Sequence, residues 1–319
     1  MTNFGYTLMT EQSGPRALVD YAVAAERIGF DFEVSSDHFS PWLTEQGHSP
    51  NAWVTLGAVA NATERVELMT YVTCPTVRYH PAVVAQQAAT LQLLSEGRFQ
   101  LNVGAGESLN EHVVGEGWPG VDVRHGMLAE AITLIRELLS GELVTWEGDY
   151  FRVGSARIWD AADVEIGVAV SGEKGVGRFA ELGDHLVTTE PMKDLLDAWD
   201  AAHGKGSRKI GQVPVCWAPD ADRAKRIAHE QFRWSGLGWT VNSELPTPAS
   251  FAAATKSATP EMTAEAIACG PDIEALAESV RPYLDAGFTD VAIVQVGDEL
   301  QEEFLETAAE PLLEALRSL

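Results

Sequence analysis

The stretch VELMTYVTCPTVRYHPAVVAQQAATLQLLSEGRFQLNVGAG, residues 66–106, reads as one strand, one helix and a second strand in a row. VELMTYVT (66–73) is an apolar, β-branched run of strand length. Pro81 suits the first turn of a helix, where its missing N–H has no partner to lose, and Ser95-Glu96-Gly97 closes that helix. RFQLNVGAG (98–106) is again a strand, ending in a glycine turn. Strand, helix, strand is the repeating unit of α/β folds.

The same alternation extends in both directions. FGYTLM (4–9) is a strand candidate, and after it Leu18, Val19, Ala22, Val23 and Ile28 recur at helical spacing until Gly29. FDFEVSS (30–36) precedes a helix over about 52–63, and a further helix runs from about 126 to 139. VEIGVAVSG (164–172), HLVTT (185–189), IGQVPVCWA (210–218) and DVAIVQV (290–296) complete a set of eight strands, each with a plausible helix behind it. That count predicts a (β/α)8 TIM barrel forming a single domain over 1–319, although a doubly wound sheet has the same local pattern. Segments near 106–124, 141–162 and 233–262 fit neither element. In a barrel, insertions of this kind build the walls and lid of a site at the C-terminal face.

With 22 Lys+Arg against 47 Asp+Glu, the net charge of −25 repels nucleic acid and anionic lipid, so neither is an expected partner. The first residues show no basic region followed by an apolar run, and no window reaches the length of a membrane helix, so a cytoplasmic chain is expected. Cys74, Cys216 and Cys269 are too few and too scattered for a disulfide framework or a zinc cluster. The histidines show no metal-ligand spacing, and no metal is expected.

Three stretches carry candidate chemistry. In SSDHFSPW, Asp37, His38 and Trp42 fall just beyond the second strand, where a barrel keeps its working residues. His38 can exchange a proton near neutral pH, and Asp37 could fix its tautomer or bind a ligand N–H. Taken alone, the pair is equally a turn cap and a loop histidine. In GAGESLNE (104–111), glycines let backbone approach a flat ligand and Glu107 follows, a carboxyl group that a covering aromatic ring would turn into an acid. It is not a dinucleotide fingerprint, because Leu109 stands where the third glycine belongs. SGEKGVGR (171–178) offers Ser171, Gly172, Lys174 and Arg178 to an anion but lacks a P-loop ending. Trp146, Trp159, Trp217, Trp234 and Trp239 read as core or lid residues.

Together SDHFSPW, the 73–111 stretch and GDYFRV (148–153) resemble the luciferase-like barrel superfamily, and within it the coenzyme F420-dependent oxidoreductases of the glucose-6-phosphate dehydrogenase type. The resemblance implies a deazaflavin in the barrel mouth and hydride transfer to or from an alcohol or sugar-type substrate. By position, His38 would be the base, Trp42 the wall that orients substrate, Glu107 the proton donor to the ring and Glu11 a near neighbour. Asp37, Tyr71, Val72, Thr73 and Ala105 would meet the ring, with a non-proline cis peptide at Tyr71-Val72, and Ser171, Gly172 and Lys174 would hold the tail. Lys193 and Lys256 correspond roughly to the lysines that grip a sugar phosphate. TAEAIACG (263–270) has no arginine for the same clamp, which puts glucose 6-phosphate in doubt and leaves an uncharged alcohol, another sugar derivative or a reducible electrophile. The alternative is an FMN-dependent monooxygenase on the same barrel. The family's habit also implies a homodimer.

Overall fold

Eight parallel strands close on themselves in the computed structural model, which describes residues 2–319. In chain order they are β1 (Asn3–Leu8), β2 (Phe32–Ser35), β3 (Glu67–Thr70) and β4 (Phe99–Val103), then, after the hairpin β5 (Val144–Glu147) and β6 (Arg152–Ala156), β7 (Ile166–Ala169), β8 (His185–Val187) and β9 (Lys209–Cys216). A two-residue strand, β10 (Ala268–Cys269), pairs on the end of β9, and β11 (Asp290–Gln295) completes the barrel. β8 pairs with β9, β9 with β11 and β11 with β1, so no open edge remains among the eight. A doubly wound sheet keeps two edges, and this closure excludes it. The eight barrel strands are the eight expected from the sequence.

Period-two alternation sorts each strand between two cores. Phe32 and Val34 point inward and meet Met69, Val187, Ile210 and Ala292. The Phe32 ring fills the room above Gly5, where a Cβ would approach it to 2.5 Å. Tyr6, Leu68, Leu101 and Ile293 point outward into the larger core beneath the helices. At the N-terminal end the barrel is plugged by Arg208, whose guanidinium lies 2.6 Å from Asp290 and 2.7 Å from Glu67 and donates to Gln100.

The helices that matter for the site are α1 (Pro15–Ile28), α2 (Ala52–Ala62), α3 (Pro81–Leu94), α4 (Ser108–Glu111), α5 (Val121–Leu139), α6 (Glu173–Phe179), α7 (Lys193–His203) and α8 (Ala221–Phe232). Local signals set their ends. Pro15 and Pro81 open helices, Gly29 ends α1 at φ 108, and the Asn51 side chain accepts from Val54 N–H at the start of α2. α5 starts before the expected residue 126. Its first turn exposes Val121 and Val123, so no amphipathic pattern announces it, and Arg124 secures the turn by donating to the Pro119 carbonyl.

All three insertions form elements, the first holding α4 and the start of α5. Residues 141–162 contain the antiparallel β5–β6 hairpin, too short and too exposed for a clear alternation to show. Residues 233–262 are a series of short helical turns, including Pro248–Ala254 and the start of Pro260–Ala266. The first insertion is tied to this lid: Ser108 N–H donates to the Ser243 carbonyl at 2.9 Å, and Arg124 lies 3.0 Å from Glu244. Among the described residues no helix is long and apolar enough to cross a membrane.

Candidate active site

The strands end in a ring of loops, and four of these bring the polar candidates together. Glu11 follows β1, Asp37 and His38 follow β2, Tyr71 to Thr73 follow β3, and Glu107 follows β4. His38 stands between two carboxylates, with Nδ1 3.0 Å from Glu11 Oε1 and Nε2 3.5 Å from Glu107 Oε1. The Nδ1 contact is a close charge contact lying off the line of a hydrogen bond. Exposure separates their possible roles: the side chains of His38 and Glu107 are 10% and 14% exposed, whereas Glu11 is at 2%. The first two reach the mouth, and Glu11 lies behind them.

Glu11 is itself held in place. Its Oε2 accepts from Ser36 Oγ at 2.5 Å and from Thr10 Oγ1 at 3.3 Å. Asn110 plays the same part for Glu107, donating to its Oε1 while its own carbonyl oxygen accepts from Phe39 and Ser40 N–H at 2.7 and 3.0 Å. One amide therefore fixes both the acid and the loop that carries His38.

Asp37 and Thr73 take places other than those expected. The Asp37 carboxylate neither orients His38 nor opens on the mouth. It is buried beneath it, accepting from Thr73 Oγ1 at 2.7 Å, Trp53 Nε1 at 3.2 Å, Arg78 Nη2 at 3.1 Å and Tyr79 Oη at 3.3 Å. Four protein donors satisfy the carboxylate, and the same bond uses up the Thr73 hydroxyl, so both side chains serve as foundation. Arg78 completes that foundation, its Nη2 also donating to the Asp37 carbonyl at 2.6 Å and its Nε to Glu111 at 3.4 Å. Burial pushes the Glu111 carboxyl up to about 7, outweighing the arginine beside it.

Trp42 is a joint more than an open wall. Its ring lies 4.9 Å from that of His38, stacks on Trp234 of the lid at 4.1 Å and 11°, and meets Phe251 edge-on at 5.1 Å. Arg78, Asn110 and Glu111 are the site residues that sequence reasoning leaves without a role, whereas Trp234, expected in the core or lid, packs on Trp42 from the lid. The first three lie within the quoted motifs, but nothing in their spacing says that they are buried. Trp159 and Trp239 are exposed, at 83% and 50%, and so are not core residues.

Between these walls lies a floor suited to a flat ring. The Tyr71–Val72 peptide is cis, and Gly104 lies against it, where a Cβ would come within 2.7 Å of Val72 Cγ2 and 3.4 Å of Ala169 Cβ. Ala105 follows on the same loop. To one side Ser171, Gly172 and Glu173 line a pocket with Met192, Lys193, Asp194 and Leu195, and Lys174 follows in the first turn of α6. Nothing lies within 4 Å of the Gly172 Cβ position, so its backbone is open to a ligand. Lys193, expected beside the substrate, therefore shares the pocket of the tail residues, with its ammonium 2.7 Å from Asp197. Lys256 is exposed on the lid just past the helix Pro248–Ala254.

The family model for luciferase-like monooxygenases matches residues 1–290. The chain belongs to the luciferase-like family. Among curated members it is 37% identical over 338 residues to the F420-dependent glucose-6-phosphate dehydrogenase of Amycolatopsis mediterranei, covering 100% of both chains. It is 36% identical over 330 residues to the protein of the same name from Microbacterium testaceum, covering 98% of this chain and 97% of that one. Among solved structures, an F420-dependent secondary alcohol dehydrogenase in complex with an F420-acetone adduct superposes with a TM-score of 0.90 at 28% identity, covering 99% of each chain. The proteins it resembles thus include ones named for a sugar phosphate and for a secondary alcohol.

Proposed function

We propose that this chain is a coenzyme F420-dependent dehydrogenase acting on the CH–OH group of a neutral secondary alcohol, or on the corresponding ketone in reverse. The observation that carries the reading is His38, set between Glu11 and Glu107 under an aromatic lid. Most cations around the mouth are already engaged, Arg78 by Asp37 and Glu111, Arg124 by Glu244, Arg233 by Glu45 and Lys193 by Asp197, while Lys256 on the lid lacks a carboxylate partner among the described residues. A phosphate dianion would have to break one of these pairs or rely on Lys256 alone, whereas a neutral substrate needs neither. The relatives named for F420 support the cofactor, and the residues fit it. The Tyr71–Val72 segment, Gly104 and Ala105 would hold the flat ring, and Ser171, Gly172 and Lys174 the anionic tail.

Bound there, the deazaflavin supplies a two-electron acceptor for the substrate carbon. The chain's own residues handle the proton. The negative charge of Glu11, 3.0 Å from Nδ1, favours a proton there and leaves Nε2 to take the hydroxyl proton. The imidazolium that results is stabilised on both sides by carboxylates, 3.0 and 3.5 Å away. Glu107 is in reach to receive that proton or to deliver one toward the ring, while Trp42 and Trp234 keep water from the reacting face. On this reading the enzyme works in the cytoplasm as a homodimer, with Val83, Leu93 and Leu94 exposed on α3 supporting an apolar contact.

Reduction of F420, followed by absorbance with 2-propanol, glucose 6-phosphate and an enone in parallel, tests the assignment. Turnover of the alcohol is expected; turnover of the phosphate alone overturns the substrate, and tight FMN binding without F420 binding overturns the cofactor. His38→Ala should lower turnover by about 10²–10⁴-fold, the usual worth of a general base, with F420 affinity unchanged. A variant as active as the parent removes His38 from that role.

A further inference from the structure

Cys216 and Cys269 are 53 positions apart in the chain, yet they are direct partners in the parallel pairing of β9 with β10. Partnered residues on neighbouring strands project from the same face of the sheet, and the spacing of about 4.8 Å between strands lies inside the Cα range of a disulfide, roughly 4.4–6.8 Å. Both thiols are free and both lie under α8, where the Cys216 thiol donates to the Ala224 carbonyl at 3.2 Å. The two differ in access: Cys216 is fully buried and Cys269 partly exposed. They also differ in acidity. Contact with Cys216 and nearby Lys225 hold the Cys269 thiol below its ordinary value, while contact with Cys269 and burial push Cys216 up. A reachable, more acidic sulfur backed by a buried thiol is the arrangement of an attacking and a resolving cysteine.

The position gives the pair a consequence. β10 is the point at which the chain returns to the barrel after the lid helices, and Gly270 N–H donates to the Cys216 carbonyl at 3.0 Å. The 217–268 segment between the two cysteines contains the whole lid, including Trp234 and Phe251. We propose that Cys216 and Cys269 form a dithiol site that a hydroperoxide oxidises to a disulfide, fastening the C-terminal end of the lid to the barrel wall. The Cys269 thiolate attacks the terminal peroxide oxygen; the O–O bond breaks, the alcohol leaves with a proton, and Cys269 becomes a sulfenic acid. The Cys216 thiol then attacks that sulfur, the S–S bond forms and water departs. The two thiols lose two electrons and the peroxide gains them.

The test uses the full-length protein and needs no assay of the dehydrogenase reaction. After treatment with hydrogen peroxide, thiols are alkylated and the peptides mapped by mass. The expected result is a crosslinked peptide pair containing Cys216 and Cys269, reversed by dithiothreitol, with Cys74 still present as a free thiol once the protein is unfolded. Limited proteolysis within 233–266 should slow severalfold in the oxidised form and recover on reduction. Cys269→Ser, a change at a partly exposed position, should abolish the crosslink, and Cys216→Ala should leave a sulfenic acid on Cys269 that dimedone traps. Two results overturn the proposal: both thiols remaining free in the treated wild type, or Cys269 advancing to a sulfinic or sulfonic acid while Cys216 still alkylates. If either variant fails to fold, peptide mapping of the wild type alone decides.

Discussion

Glu111 shows how a buried residue positions the more open ones above it. It accepts from Arg78 N–H at 2.7 Å and from its side chain at 3.4 Å, and Arg78 in turn holds Asp37 below the loop that carries His38. Because burial raises the Glu111 carboxyl to about 7, it keeps a proton in the folded state over a range in which the unfolded chain, with glutamate near 4.3, has released it. The folded state therefore binds more protons between those values. Its contribution to stability is fully present below about pH 4.3 and is lost as pH rises through about 7, a change on the order of 3 kcal/mol for this group. Urea unfolding at about pH 5 and about pH 8 should show a steeper loss for the wild type than for Glu111→Gln, whose amide cannot titrate. Equal slopes would mean that the buried acid is ionised throughout.

Among the elements, the β3 and β4 loops fit closely against each other. Gly104 has ordinary backbone angles, so only space forbids a side chain there, and its Cβ position lies 2.7 Å from Val72 Cγ2. Gly104→Ala must push Val72 out of line or open β3 from β4, at a cost of about 1–3 kcal/mol as for other overpacked sites. If this floor carries the cofactor ring, F420 affinity should fall in the variant by more than the thermal midpoint suggests. A variant that binds F420 as the parent does would place the ring elsewhere. The lid obeys a different logic, because its short turns have few apolar contacts of their own. Trp234 and Phe251 fasten it to Trp42, and Ser243 and Glu244 to the first insertion.

For the whole molecule, the net charge of −25 is the dominant long-range feature. The buried and half-buried carboxylates at the plug and foundation have partners, but 22 cations cannot pair 47 acids, and the remainder repel one another across the surface. The screening length shrinks from about 30 Å at 0.01 M salt to about 3 Å at 1 M, so added sodium chloride should raise the thermal midpoint over that range. A midpoint independent of salt would show that the acidic surface carries no net repulsion in the fold. The same charge makes electrostatics local at the mouth, where each of Arg78, Arg124, Arg233 and Lys193 is matched to a carboxylate.

The alternation from FGYTLM to DVAIVQV was enough to locate all eight barrel strands, because strand and helix periods are properties of neighbours in the chain and glycine and proline mark their ends. The same local logic put His38 and Glu107 just past β2 and β4, and the structure brings them to 3.5 Å. It did not reach the hairpin in 141–162, where alternation over four or five half-exposed residues is no stronger than chance. Nor could it say whether the sheet closes, since that depends on β11 meeting β1 across almost the whole chain. Two further outcomes belong to the tertiary structure alone. Asp37 turns away from His38 because Thr73, Trp53, Arg78 and Tyr79 supply its donors from other elements, and Glu11 takes over the histidine. Trp42 finds Trp234 from 192 positions away. Spacing specifies which way a backbone runs and which side of it is apolar; the partner a buried charge or ring meets is settled only when distant segments compete for the same space.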